Sequence, residues 1–100
     1  MINYDFKYEV QYTSQFKKDF KKILKQGKDK KKFIDVLNKI ANGEKLDLKY
    51  RNHNLFDDKL YKGCKECHIE PDWLLVYRIV ENKLILLLVS TGTHRELFGK

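Results

Sequence analysis

The spacing of apolar residues in the first half of the chain predicts one strand and two helices. Tyrosine and valine alternate with polar residues over positions 8–12, which is typical of a half-buried strand. Two stretches at helical spacing follow, the first capped by Ser14 and ending at Gly27, the second ending at Gly43. Their apolar positions are Phe16, Phe20, Ile23 and Leu24, then Phe33, Val36, Leu37, Ile40 and Ala41. The pattern predicts two antiparallel amphipathic helices.

The second half of the chain reads mainly as strands. Residues 46–60 are irregular and polar, with a short strand near Leu55. The strand-like runs are Lys62 to Glu70, Trp73 to Val80 and Lys83 to Ser90, joined by Pro71-Asp72 and Glu81-Asn82. Thr93, with Glu96 three residues later, is a capping pattern that predicts a short C-terminal helix. The expected fold is α+β: an N-terminal strand, two antiparallel helices, an antiparallel sheet of about four strands and a short C-terminal helix.

Strand pairing assigns side chains to the two faces of the sheet. Two-residue hairpin loops would pair residue 70 with 73, 68 with 75, 80 with 83, 75 with 88 and 73 with 90. One face then carries His68, Glu70, Trp73, Leu75, Leu88 and Ser90. The other carries Cys67, Ile69, Leu74, Val76, Leu87 and Val89. Because this second face is almost wholly apolar, we expect the helices to cover it and to leave the His68 face partly open.

Ionisable side chains are predicted to gather at one rim of the sheet. Only three residues separate Ser90 from His94, so His94 lies near the end where Asp72 turns the chain. His53 precedes the sheet, and spacing alone does not place it. Each group also has an ordinary explanation, since a histidine on a half-buried strand is more often hydrogen-bonded than catalytic and Asp72 after a proline is common in turns.

Length and charge narrow the possible functions. One hundred residues allow a single domain, 1–100, with one modest core. A net charge of +7 favours a polyanionic partner, either nucleic acid or an acidic protein, through contacts that weaken with salt. The N-terminal segment lacks the pattern of a signal peptide, and no apolar run approaches the ~20 residues of a membrane-spanning helix. We therefore expect a cytoplasmic protein without membrane contact.

Two cysteines raise the question of a metal site. Cys64 and Cys67 lie three apart, and on a strand such residues point to opposite faces. No second pair follows downstream, so two reduced, partly buried thiols are the preferred interpretation over zinc. We expect no metal site and no small-molecule cofactor.

Two motifs carry a family resemblance. The segments "ECHIEPDWLLVY" and "TGTHRELFG" resemble the RelE superfamily of toxins from type II toxin–antitoxin systems, most closely its YafQ branch. The resemblance runs over nearly the whole chain. It implies an endoribonuclease that cuts messenger RNA in the ribosomal decoding site, without metal, by attack of a ribose 2′-hydroxyl on the adjacent phosphate. It also implies a cognate acidic antitoxin that blocks the enzyme.

The resemblance assigns roles to particular residues. The functional histidines of the family fall on His53, His68 and His94, and its acidic position falls on Asp72. We expect His94 to be the general acid and His68 or Asp72 the proton acceptor, because imidazole titrates near working pH. Which group is the base stays open. Phe98 matches an aromatic position that stacks on or positions a base, although such a residue is more often a packing group.

One position departs from the family pattern. Relatives usually have arginine where this chain has Ser90, and that arginine is thought to hold the scissile phosphate. A hydroxyl cannot replace the charge, at a cost of ~2 kcal/mol or more of transition-state stabilisation. The remaining candidate RNA-binding residues are Lys62, Lys65, Arg95 and Trp73. The alternative hypothesis is a weak or non-catalytic module of the same fold that binds RNA or the antitoxin.

Overall fold

In the computed structural model, the described residues, 6–56 and 58–99, form a five-stranded sheet with three α-helices. The strands are β1 (Glu9–Tyr12), β2 (His53–Asn54), β3 (Lys65–Glu70), β4 (Trp73–Val80) and β5 (Ile85–Gly92). The helices are α1 (Ser14–Lys25), α2 (Lys30–Ala41) and α3 (His94–Phe98), and 3-10 turns lie at Leu48–Tyr50 and Glu81–Lys83. The predicted α+β fold is confirmed.

The first two helices begin and end close to the predicted residues. The cap of α1 is Thr13, whose side chain accepts a hydrogen bond of 2.9 Å from the backbone N–H of Phe16, so the prediction of Ser14 was wrong by one residue. Thr13 suits this position because its hydroxyl also donates to a β5 carbonyl, at 2.7 Å. Gly27 and Gly43 follow the helix ends at positive φ, as expected for C-terminal glycines. No helix in the described ranges is long and apolar enough to span a membrane.

The strand order is β1-β5-β4-β3-β2. Strands β2 to β5 are antiparallel neighbours, which gives the four-stranded antiparallel sheet that the sequence predicted. The N-terminal strand β1 joins this sheet at its β5 edge in the parallel direction. The strand expected near Leu55 is the two-residue β2, which pairs with the first half of β3.

The predicted register was wrong at most positions. Residue 70 does pair with 73, but a β-bulge between His68 and Glu70 pairs His68 with Leu74 and not with residue 75. The connection from β4 to β5 is also longer than two residues, because a 3-10 turn and a left-handed Leu84 (φ 52°) pair Val80 with Ile85. A second irregularity follows Val76. Each one-residue shift exchanges the two faces of a strand.

These shifts correct the assignment of side chains to faces. The helices cover the side of the sheet that carries Cys67, Trp73, Leu75, Tyr77, Leu86 and Leu88, and with it they form the main core. Trp73, Leu75 and Leu88 therefore lie on the side opposite to the predicted one. Val76 and Val89 belong to a second, smaller cluster with Tyr61, Cys64, Leu97 and Phe98. The imidazole of His68 lies next to this smaller cluster, on the face without the two long helices.

Candidate active site

Three imidazoles form a row along one rim of the sheet. The ring centres of His53 and His68 are 6.4 Å apart, and those of His68 and His94 are 5.3 Å apart. His68 is the central and most buried member, only 7% exposed, whereas the other two are half exposed. Strand β2, strand β3 and the first turn of α3 each contribute one ring. Three segments that are separate in the sequence thus contribute neighbouring rings to one row.

A buried carboxylate lies behind two of these rings. Glu66 pairs with His53 across the β2–β3 ladder and shares a face with His68, two residues later on the same strand. Its Oε1 atom is 3.1 Å from His68 Nε2 and 3.6 Å from His53 Nε2, and the residue is 5% exposed. Sequence reasoning did not select Glu66. The available signal was its two-residue spacing from His68 on a predicted strand.

In His53 and His68 the other ring nitrogen faces a backbone carbonyl. His53 Nδ1 is 2.7 Å from the carbonyl of Arg51, and His68 Nδ1 is 3.3 Å from the carbonyl of Pro71. A carbonyl can only accept, so His53 carries a proton on Nδ1 and donates it to Arg51. This contact leaves Nε2 as the nitrogen of His53 that can take up a proton.

His94 and Asp72 form a second acid–imidazole pair. The Nδ1–H of His94 donates to Asp72 Oδ1 at 2.6 Å, and the backbone N–H of His94 donates to the same oxygen at 2.8 Å. The backbone N–H and then the imidazole of His94 lower the pKa of Asp72, which keeps this carboxylate ionised. The pair therefore fixes the ring through Nδ1, and Nε2 is the nitrogen available to a substrate.

The helix that carries His94 is short and firmly capped. Thr93 and Glu96 form a complete capping box, as the sequence predicted. The backbone N–H of Thr93, and secondly the ammonium of Lys22 on α1, lower the pKa of Glu96 to about 2. At the other end of the helix, the ring of Phe98 packs edge-on against Tyr61 with centres 5.7 Å apart. Phe98 is thus half-buried against the smaller apolar cluster, in the packing role that the sequence also offered.

Two predicted RNA-binding residues are buried, which contradicts the prediction of direct contact. Trp73 is 0% exposed on the helix-covered side, where its indole N–H donates to Thr91 Oγ1 at 3.0 Å. Ser90 is 2% exposed, and its hydroxyl donates to Asp19 of α1. The bulge in β3, which the sequence pattern did not reveal, pairs His68 with Leu74 and so puts Trp73 on the side opposite to the His68 ring. Neither residue presents a side chain to solvent.

The predicted basic residues lie at the surface around the site. Lys62 and Arg95 are exposed, on the loop before β3 and on α3. Lys65 is half-buried at the start of β3, between Asn54 of β2 and Tyr77 of β4. These positions are compatible with contacts to phosphates, which stay a prediction.

The two cysteines are free and buried. Burial raises the pKa of Cys67 to about 12 and also raises that of Cys64, so both thiols are protonated at neutral pH. Within residues 6–56 and 58–99, no group of three or more histidine, cysteine, aspartate or glutamate side chains is arranged to hold a metal ion.

Comparison with known proteins connects this rim to a family. A model of the bacterial toxin YafQ of type II toxin–antitoxin systems matches residues 8–99. The mRNA interferase toxins YafQ of Escherichia coli strains BL21-DE3 and K12 are each 38% identical to this chain over 60 residues, which are 60% of this chain and 61% of the relative. The match thus spans about three-fifths of the length of these curated relatives.

Solved structures agree over the whole domain. The toxin in the E. coli DinJ-YafQ toxin–antitoxin complex is 33% identical, with a TM-score of 0.82 over 93% of this chain and 99% of that one. A metal-bound toxin from Helicobacter pylori is 37% identical, with a TM-score of 0.83 over 91% and 99%. The family model places the chain among the toxins of type II toxin–antitoxin systems. Within that class, the chain belongs to the YafQ toxin family.

Proposed function

We propose that this protein is an endoribonuclease that cuts messenger RNA on the ribosome, in the cytoplasm and without a metal ion. The observation that carries the proposal is the row of three imidazoles, in which the ring centre of His68 is 6.4 Å from that of His53 and 5.3 Å from that of His94. A row of imidazoles with carboxylates beside His68 and His94 matches a reaction that needs one proton acceptor and one proton donor about a single phosphate. The relatives named mRNA interferase toxins support the same activity.

The reaction proposed is an internal transfer at phosphorus. The ribose 2′-oxygen attacks the adjacent phosphate and loses its proton to a base, while the bond from phosphorus to the 5′-oxygen breaks and an acid protonates that oxygen. The products are a 2′,3′-cyclic phosphate and a 5′-hydroxyl. His94 is the acid, with Nε2 available and Asp72 holding Nδ1. Because Asp72 is engaged by His94, we propose that the acceptor is His53 or His68.

The reaction also requires stabilisation of the extra negative charge on the phosphate. Cations around the rim can supply it. Lys62, Lys65 and Arg95 are the proposed phosphate contacts, and Phe98 is the proposed stacking residue. The net charge of +7 further favours RNA and an acidic antitoxin as partners. Since E. coli YafQ was solved with the DinJ antitoxin, we propose that this chain also has a cognate antitoxin.

A second candidate is a weak or inactive member of the family that binds RNA or its antitoxin without cutting. The observation that favours it is Ser90. Its buried hydroxyl is bonded to Asp19, so position 90 offers no charge to a phosphate. The two candidates differ in whether the wild-type protein cuts RNA at all.

Cleavage with and without ribosomes distinguishes the two candidates. Purified protein is mixed with a defined messenger, either naked or bound in programmed ribosomes, in magnesium buffer, and RNA ends are mapped at single-nucleotide resolution. We expect cuts on ribosomes only, with a 2′,3′-cyclic phosphate and a 5′-hydroxyl as the new ends. Because magnesium is needed to keep ribosomes intact, metal independence is tested by adding a zinc-selective chelator. Intact RNA under all conditions would favour the non-catalytic candidate.

A hydrogen bond in the segment that carries His53 gives a second prediction. The hydroxyl of Tyr77 donates to Asn52 Oδ1 at 2.6 Å, next to the left-handed Arg51 that bonds His53. Replacing Tyr77 with phenylalanine should lower the cleavage rate several-fold, since it loosens His53, but should lower the free energy of unfolding by only about 1 kcal/mol. Cleavage assays and urea unfolding check the two effects. An unchanged cleavage rate would show that this bond does not position His53.

A further inference from the structure

Glu66 is a buried carboxylate that the reaction as described does not use. One of its oxygens, Oε1, is within 3.1 Å of His68 Nε2 and within 3.6 Å of His53 Nε2. A carboxylate that is 5% exposed is costly to bury without partners, and in the described part of the chain its partners are these two rings. Because Glu66 lies between His53 and His68, we expect it to have a role in the site.

The hydrogen bonds determine where the protons lie. Both nitrogens of His68 face an acceptor, and the shorter contact, 3.1 Å to the Glu66 carboxylate against 3.3 Å to the Pro71 carbonyl, favours a proton on Nε2 that is donated to Oε1. His53 carries its proton on Nδ1, because Nδ1 faces the carbonyl of Arg51 at 2.7 Å. Of the two rings, His53 then has the nitrogen that can accept a proton. This nitrogen is Nε2, whose lone pair is free and does not face a backbone carbonyl. When it takes up a proton, the positive charge forms beside Glu66 Oε1.

We infer that Glu66 is a positioning residue that joins His53 and His68 into one proton-accepting unit. This inference rests on the proposed ribonuclease function. The carboxylate holds His68 in the Nε2–H form and supplies the negative charge that stabilises the imidazolium of His53. The proton of the attacking 2′-hydroxyl passes to His53 Nε2, and Glu66 itself stays ionised and does not contact the substrate. The unit thus holds one buried carboxylate between a buried ring, His68, and a half-exposed ring, His53.

Other titratable groups surround the unit. Asp72 and His94 lie beyond His68 at the turn and on α3, and Cys67 lies on the opposite face of β3 with a protonated thiol. A cleft beside His68 is lined further by Lys32, Asp35, Lys49, Arg51 and Glu70. Of these carboxylates, Glu70 is bound by Lys28 and Lys32, at 2.8 and 2.7 Å. Glu70 therefore offers a matched control on the same strand.

The test compares Glu66→Gln with Glu70→Gln in two measurements. In the pH profile of single-turnover cleavage on programmed ribosomes, Glu66→Gln should lower the plateau roughly tenfold and move the acid limb about one unit to lower pH, because a base without its counter-charge binds its proton less tightly. In nitrogen-15 spectra of the free protein, His68 should change from the Nε2–H to the Nδ1–H form, since the glutamine amide donates to Nε2. Glu70→Gln should leave both readouts unchanged.

A third variant tests whether the charge of Glu66 is what matters. Glu66→Asp retains the charge and should keep the acid limb at its wild-type pH, even if its rate is lower. A Glu66→Gln protein with unchanged His68 spectrum and unchanged acid limb would overturn the inference, and so would a Glu66→Asp profile that shifts like that of glutamine. If wild-type protein cuts no RNA, the proposed function fails separately, and the imidazole spectra alone then decide whether Glu66 sets the ring protonation.

Discussion

Substitution of His94 with alanine is expected to lower the rate of messenger cleavage by about a thousandfold, within the range that a lost general acid costs. The leaving 5′-oxygen would depart without a proton, and no neighbouring ring replaces Nε2 of His94, since His68 Nε2 is already bonded to Glu66. Single-turnover cleavage on programmed ribosomes measures the effect. In cells, induction of the variant should no longer arrest growth.

The structure predicts that this variant folds. The His94 side chain is 43% exposed, and the helix cap is formed by Thr93 and Glu96, which are left in place. A His94→Gln variant provides the matched control for proton transfer. Its amide can still donate to Asp72 but cannot deliver a proton, so it should be as inactive as the alanine variant. Growth arrest by either variant would remove His94 as the acid.

The secondary structure could be predicted from the sequence because its signals are local. Apolar spacing, the Thr93 capping box and the glycines after α1 and α2 each act within a few residues, and the structure places these elements close to the predicted bounds. The end of the sheet at which His68, Asp72 and His94 meet was also predicted, since that depends on connectivity more than on register. Chain order brings the turn at Asp72 beside the end of β5 whichever face each side chain takes.

The faces of the sheet could not be predicted because they depend on irregularities of register, of which those at His68, Val76 and Leu84 have no clear sequence signal. The bulge after His68 adds one residue to β3, and Leu84 adopts a left-handed conformation that usually calls for glycine or asparagine. Trp73 was consequently expected beside the histidines but is buried under the helices. Glu66 was missed for a related reason. In a charged run it resembles a solvent-facing residue, and only its pairing with His53 shows that it is buried.

The second large effect is expected at position 90, where the family resemblance implies an arginine in place of Ser90. Ser90 lies opposite Val76 of β4, and the same cross-strand row continues to Glu66 and His53. An arginine at position 90 would therefore lie in the same cross-strand row as Glu66 and His53. The first charged group it meets, however, is Asp19, whose carboxylate already accepts from the Ser90 hydroxyl and from the N–H of Thr91, at 3.2 Å for the latter.

Asp19 therefore determines the outcome of restoring the arginine. In a Ser90→Arg variant the guanidinium should form an ion pair with Asp19, and cleavage should change by less than about threefold, because a paired arginine contributes little to a second anion. Combining it with Asp19→Asn keeps an acceptor for the N–H of Thr91 but removes the competing charge. The double variant should cut about thirtyfold faster than wild type, which corresponds to about 2 kcal/mol of transition-state stabilisation.

A double-mutant cycle separates this coupling from independent effects. Rates are measured for wild type, Asp19→Asn, Ser90→Arg and the double variant on the same programmed ribosomes, with thermal unfolding as a check on the fold. Asp19→Asn alone should have a cleavage rate close to that of wild type, because Ser90 has no charge that the loss of the Asp19 carboxylate could free. If Ser90→Arg alone accelerates cleavage as much as the double variant does, Asp19 does not hold the guanidinium. If neither Ser90→Arg nor the double variant accelerates cleavage, the phosphate is bound by cations elsewhere on the rim. Lys65 and Arg95 are then the next residues to substitute.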